Sequence, residues 1–158
     1  SKHCDRLIWI EYGYQIDEES LVRLIGKFPQ NYNCMVLPAV VEGINWDSFK
    51  KKIRENSQEP VSQMGLDFDT AVGTPCIAGD EFLRPVLSTD PKCWAIEAKS
   101  VLKALKDQKG EGIKLPPKFF DKIIDRAKVC AFTKAKVTAT YSHECIGNIL
   151  ESAGIRVG

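Results

Sequence analysis

The sequence predicts an α/β fold, a single layered domain over residues 1–158 with a mixed or parallel sheet flanked by helices. Three observations predict it. Short β-branched and aromatic runs alternate with segments of helical period nearly throughout, the pattern of layered α/β domains. A length of 158 residues is one domain's worth, enough to bury a core without staples. A hydrophobic fraction of 44% with 27% charged residues argues against disorder, collagen and coiled coil.

The elements follow in order. Leu7 to Tyr14 is rich in β-branched and aromatic residues and predicts a strand. Asp17 then offers an N-cap, and Glu18 and Glu19 suit the positive end of a helix. Leu21, Leu24, Ile25 and Phe28 form its i, i+3, i+4, i+7 stripe, and Pro29 is expected to end it. Cys34 to Leu37 predicts a second strand. Asn45 or Asp47 caps a helix expected to turn Phe49 and Ile53 inward and Lys50, Lys51, Lys52 and Arg54 outward. Residues 57–92 hold four of the chain's eight prolines and predict an irregular segment of loops and short strands.

Cys93 to Ala98 predicts a strand, although Glu97-Ala-Lys99 equally suits a helix start. Val101, Leu102 and Leu105 continue as a helix to about residue 109. Pro116-Pro117 opens another, with Phe119, Phe120, Ile123, Ile124 and Ala127 as its apolar face. Lys136 to Tyr141 alternates as a strand, residues 145–152 suit a short helix, and Ile155 to Val157 a last strand. GxGxxG, GxxxxGK[ST] and GxSxG are absent, which removes the usual grounds for dinucleotide, P-loop or hydrolase chemistry.

No run approaches the roughly 18 apolar residues of a membrane span, and Glu11 interrupts the only apolar stretch near the N-terminus. The chain begins on Ser1-Lys2 without Met, and the expectation is a domain excised from a longer intracellular protein, cytoplasmic or nuclear. The six cysteines are widely spaced, with no CxxC pair. Cys34, Cys93 and Cys130 sit inside apolar runs and are expected to be buried, reduced thiols.

The net charge of +1 hides a polarised chain. Residues 1–98 carry 10 basic and 15 acidic side chains, and residues 99–136 carry 11 basic and 4 acidic. Lys99, Lys103 and Lys106 share one helical face, and Lys118, Lys122 and Arg126 share another, with Lys128 following. Like charges at that spacing repel one another and suit an anionic partner. Lysine predominates over arginine, so backbone contact is expected rather than bidentate base readout. The alternative is two solvated faces that balance the acidic part of the same domain.

Cys93-Trp-Ala-Ile-Glu97-Ala-Lys99 resembles the central strand of the PD-(D/E)xK nuclease superfamily. The resemblance implies that Glu97 holds Mg²⁺, that Lys99 orients or activates the attacking water, and that an upstream acid shares the metal. Asp80 is the catalytic and metal-ligand candidate for that acid, with Glu81 and Asp90 as the other candidates and Glu18 or Glu19 as an extra acid. The competing reading is an ordinary strand-to-helix junction with Lys99 in the first helical turn. A structural zinc site would need His3, Cys4, His143 and Cys145 together, and Asp67 with Asp69 offers two carboxylates to a cation. Trp9, Trp46 and Trp94 are expected in the core.

These readings lead to one expectation and one alternative. The expectation is a non-catalytic α/β interaction module of a larger protein, binding nucleic acid or an acidic protein through the basic segment 99–136. The alternative is a Mg²⁺-dependent nuclease using Glu97, Lys99 and Asp80. A subunit that docks through a hydrophobic face is a third class.

Overall fold

Alternating burial of short apolar runs builds the molecule around one sheet. A computed structural model describes residues 4–106, apart from 42 and 62, and residues 128–140; for residues 104–106 it describes the backbone alone. In chain order the elements are β1 (Arg6–Ile10), β2 (Tyr14–Ile16), α1 (Glu18–Ile25), β3 (Cys34–Leu37), α2 (Trp46–Arg54), β4 (Thr70–Val72), β5 (Leu83–Thr89), β6 (Cys93–Glu97), α3 (Ala98–Lys106), β7 (Val129–Phe132) and β8 (Val137–Ala139).

Six strands form a mixed sheet in the order β1-β6-β3-β7-β5-β4, and β2 with β8 forms a separate two-stranded ribbon. Only β3 and β7 run parallel; the other named pairs are antiparallel. The alternation of strands and helices therefore ends in a mixed sheet, and the described helices are few and short. The sheet also curls. Val40 bridges to Phe68, and the Asp69 amide donates to the Ala39 carbonyl at 3.0 Å, so the chain entering β4 meets the chain leaving β3.

Side chains alternate across the sheet as strand geometry requires. Met35, Leu37, Cys93, Ala95, Cys130 and Phe132 point to one face, where Leu24 of α1 and Phe28 pack on them. Cys34, Val36, Trp94, Ile96, Val129 and Ala131 point to the other, where Val101 of α3 packs. Cys34, Cys93 and Cys130 are buried free thiols, as expected, and Cys4 and Cys76 are exposed free thiols. Burial pushes the Cys34 thiol far up, Cys93 to about 11 and Cys130 to about 12, so all three are protonated small hydrophobes at neutral pH.

Several expectations need correction. β7 is a fully buried strand of four residues, and β5 runs straight through Pro85 inside the segment expected to be irregular. The strand expected from Leu7 to Tyr14 is broken by a turn, in which the Tyr14 amide donates to the Glu11 carbonyl at 3.1 Å. Gly13 takes a φ of +88° there, a conformation that strains residues with a Cβ. The first helix stops at Ile25, with Gly26 as its C-cap, before Pro29. Trp94 is buried, but Trp9 is 45% and Trp46 59% exposed. Trp9 lies on the edge strand and stacks on Trp94 from one side, with ring centroids 6.4 Å apart. Trp46 opens α2, which buries none of its residues; Ile53, expected inward, is exposed as well.

The predicted N-cap of α1 is observed. Asp17 accepts the Ser20 amide at 3.1 Å; the Ser20 hydroxyl first, then this amide bond and the charge of Lys136, hold its carboxyl below the usual value against the opposing effect of burial. A depressed folded value stabilises above the unfolded pKa and is lost as pH falls through the folded one. Asp17→Ala is therefore expected to cost about 1 kcal/mol at pH 7. The difference from wild type should shrink as pH falls below about 4 in urea unfolding.

Candidate anion-binding site

The end of the sheet where β6 passes into α3 gathers most of the described residues singled out by charge and motif. β6 ends at Glu97 and α3 begins at Ala98, so the strand-to-helix junction is the reading that holds. Glu97 and Lys99 do not share a strand face, because the i, i+2 relation applies only while the chain stays extended. They nevertheless line one depression of about 240 Å³ together with Cys4, Asp5 and Arg6. Asp5 is the residue that sequence reasoning missed. It reaches this position because β1 pairs with β6 to its end, where the Ala98 amide donates to the Asp5 carbonyl at 3.0 Å.

Asn33 organises the junction. Its amide donates to the Lys128 carbonyl at 3.1 Å, and its carbonyl accepts the Glu97 amide at 2.9 Å. Its side-chain oxygen accepts the Lys128 amide at 3.0 Å, and its side-chain nitrogen donates to the Ser100 hydroxyl oxygen at 3.0 Å. One side chain thus bridges the entry to β7 and the first turn of α3. Lys128 and Lys99, 29 positions apart in sequence, are thereby drawn to the same end of the sheet.

Lys99 and Lys103 lie on the side of α3 opposite Val101, which packs on the sheet, so both ammonium groups project away from the core. Lys99, Lys103 and Lys128 are exposed. Among the described residues no carboxylate lies within ion-pair distance of any of the three, whereas Lys52, Lys92 and Lys134 are each paired. Lys106 falls at the described end of α3 with its backbone alone. Lys118, Lys122 and Arg126 lie outside the described residues, as do Phe119 and Phe120.

Asp80 is not brought to Glu97. Its carboxylate accepts Arg23 at 2.9 Å and the Phe82 amide at 2.9 Å. Phe82 in turn accepts the Thr133 amide, just beyond the Phe132 end of β7, whereas Glu97 lies past the Ile96–Cys34–Val129 row at the other end. The upstream acid that the nuclease resemblance requires is thus engaged elsewhere. Of the other acids, Glu19 pairs with Lys134 at 3.1 Å, and Asp90 precedes the opposite end of β6.

The remaining candidates are placed as follows. Asp67 accepts the Asn45 side chain at 3.0 Å, and Asp69 accepts the Ala39 amide at 3.0 Å and the Thr70 hydroxyl at 2.8 Å. Both carboxylates tie loops together, and burial pushes the Asp69 carboxyl up, against the lowering effect of those two bonds. Of the four zinc candidates, Cys4 donates to the Arg6 carbonyl at 3.2 Å, and His3, His143 and Cys145 lie outside the described residues. Among the described residues no group of three or more His, Cys, Asp or Glu side chains gathers to hold a metal. No described helix is long and apolar enough to cross a membrane.

A larger groove of about 550 Å³ lies between the β1–β2 turn, the chain after β3 and β8, lined by Tyr12, Tyr14, Val40, Ile44, Leu66 and Val137 among others. Its described lining carries no ionised side chain, so it offers nothing to an anion. No protein-family model, curated protein or solved structure matches this chain.

Proposed function

We propose that the protein is a binding module for an anionic partner, nucleic acid or an acidic protein surface, and that the end of the sheet carrying α3 is where it binds. The observation that carries this reading is the Asn33 bridge, which draws Lys128, unpaired among the described residues, to the same end of the sheet as Lys99 and Lys103. Clustered lysines that pair with no carboxylate among the described residues leave a positive potential that suits an outside anion. Lysines act as point charges rather than as planar forks, which suits phosphate backbones or carboxylate clusters and gives little base discrimination.

Lys106, Lys118, Lys122 and Arg126 extend the proposed surface along the basic segment. The Glu97–Lys99 depression, with two carboxylates and no third metal ligand among its described residues, supports binding better than metal-dependent cleavage. Anisotropy titration of a labelled 20-nucleotide DNA single strand and of a glutamate-rich peptide tests the proposal. At 50 mM salt at least one should bind, and the affinity should fall steeply as salt rises. Absence of binding to both would sink it.

A further inference from the structure

We propose that β1 is a docking edge for an extended peptide strand of another protein, with apolar residues at its centre and a Lys or Arg at each end. Among the described residues β1 pairs with β6 on one side and with no strand on the other. The Ala98 amide donates to the Asp5 carbonyl, and the Glu11 amide donates to the Lys92 carbonyl. Backbone groups alternate in an antiparallel ladder, so Asp5, Leu7, Trp9 and Glu11 address β6 while Arg6, Ile8 and Ile10 turn theirs outward. The side chains do not close this edge. Leu7, Ile8, Trp9 and Ile10 are 38, 37, 45 and 44% exposed. The strand contains none of the lysine, proline or bulge devices that usually blunt an edge.

Charge selects the occupant. Asp5, Leu7, Trp9 and Glu11 lie on one face of the strand, so the apolar pair is flanked by two carboxylates. Glu11 pairs with Lys92 at 3.4 Å and keeps its other carboxylate oxygen for the strand; Arg6 does not offset Asp5, because its guanidinium points to the other face and is held by the Leu24, Ile25 and Gly26 carbonyls. A second copy paired antiparallel about Ile8 would set Asp5 opposite Glu11 twice. Paired about Trp9 it would set Leu7 opposite Glu11. Both registers are unfavourable. A strand of the form Lys-x-Val-x-Val-x-Lys answers all four positions, and its intervening residues meet the outward groups of Arg6, Ile8 and Ile10.

The probe is the peptide Lys-Thr-Val-Thr-Val-Thr-Lys, added to the whole chain. The expected result is slowed amide exchange at Ile8 and Ile10, with binding weakened about tenfold or more when the central Thr is N-methylated or both Lys are replaced by Glu. Ile8→Pro removes only an outward N–H and is expected to abolish binding with the near-UV spectrum unchanged. Leu7→Lys, at an exposed position, should repel the same peptide and serves if the proline variant fails to fold. Lys103→Glu should not weaken peptide binding, which separates this edge from the anion site. Unchanged exchange at millimolar peptide, equal binding of the Lys and Glu peptides, or a dimer abolished by Ile8→Pro would overturn the proposal.

Discussion

Reversing Lys99, Lys103 and Lys128 together to Glu is expected to weaken binding to the DNA single strand or the glutamate-rich peptide about 100-fold at 50 mM salt. Each reversal removes one attraction and adds one repulsion at side chains that no described carboxylate pairs. The three side chains are exposed and make no ion pair with the described residues, so the thermal midpoint should move little. Lys50→Glu with Lys51→Glu, on α2, is the control and should change affinity less than about threefold. An equal loss in the control would mean that the effect is general charge rather than a site.

Arg6→Met is expected to destabilise the fold by about 3 kcal/mol. The Arg6 guanidinium donates to the carbonyls of Leu24 and Ile25, each at 2.7 Å, and to that of Gly26. It thus satisfies the C-terminal carbonyls that α1 cannot bond internally and places a positive charge at the negative end of the helix. It also lies 3.8 Å above the centroid of Phe28. Hydrogen bonds from charged donors contribute roughly 1.5–3 kcal/mol and a cation over a ring roughly 0.5–2. Met keeps the volume and loses both. For about 150 residues, 3 kcal/mol lowers the thermal midpoint by roughly 6–12 °C. Arg6→Lys should recover part of the loss, since the three carbonyls converge on one guanidinium nitrogen that an ammonium can replace, while the planar contact over Phe28 is lost. A loss below 1 kcal/mol for Arg6→Met would contradict this account of how α1 is fastened to β1.

The legible parts of the fold were those with an unambiguous period or cap. Asp17 and Asn45 cap α1 and α2 as their sequence contexts indicate. Cys34 to Leu37 and Cys93 to Glu97 are buried strands. β7 was missed because a strand buried on both faces has no alternation, and Val129 to Phe132 is too short to be told from a buried turn of helix. β5 falls in the segment read as loops and short strands, and it runs longer than that reading because Pro85 does not break it. The Phe82 carbonyl accepts the Thr133 amide, so by alternation the Pro85 nitrogen faces away from β7, and the ladder with β7 loses no bond. Trp9 was misplaced because strand order is not written in the strand itself: the same residues in a central position would be buried.

The site divides the same way. The basic run was visible in the charge count, but the residue that draws Lys128 toward Lys99 is Asn33, an uncharged side chain 95 positions upstream of Lys128. Asp5 shares a depression with Glu97 only because β1 and β6 are neighbours, and Asp80 is kept away because β5 and β6 are not. Both facts belong to topology, which a charge pattern does not encode.

The most direct test of the central claim is the salt dependence of DNA single-strand affinity in the wild type and in the Lys99, Lys103 and Lys128 triple reversal. Each lysine on a phosphate of a single strand contributes about 0.7 to the slope of log affinity against log salt. The account predicts a slope shallower by about 2 in the triple variant. Parallel lines of equal slope would contradict it.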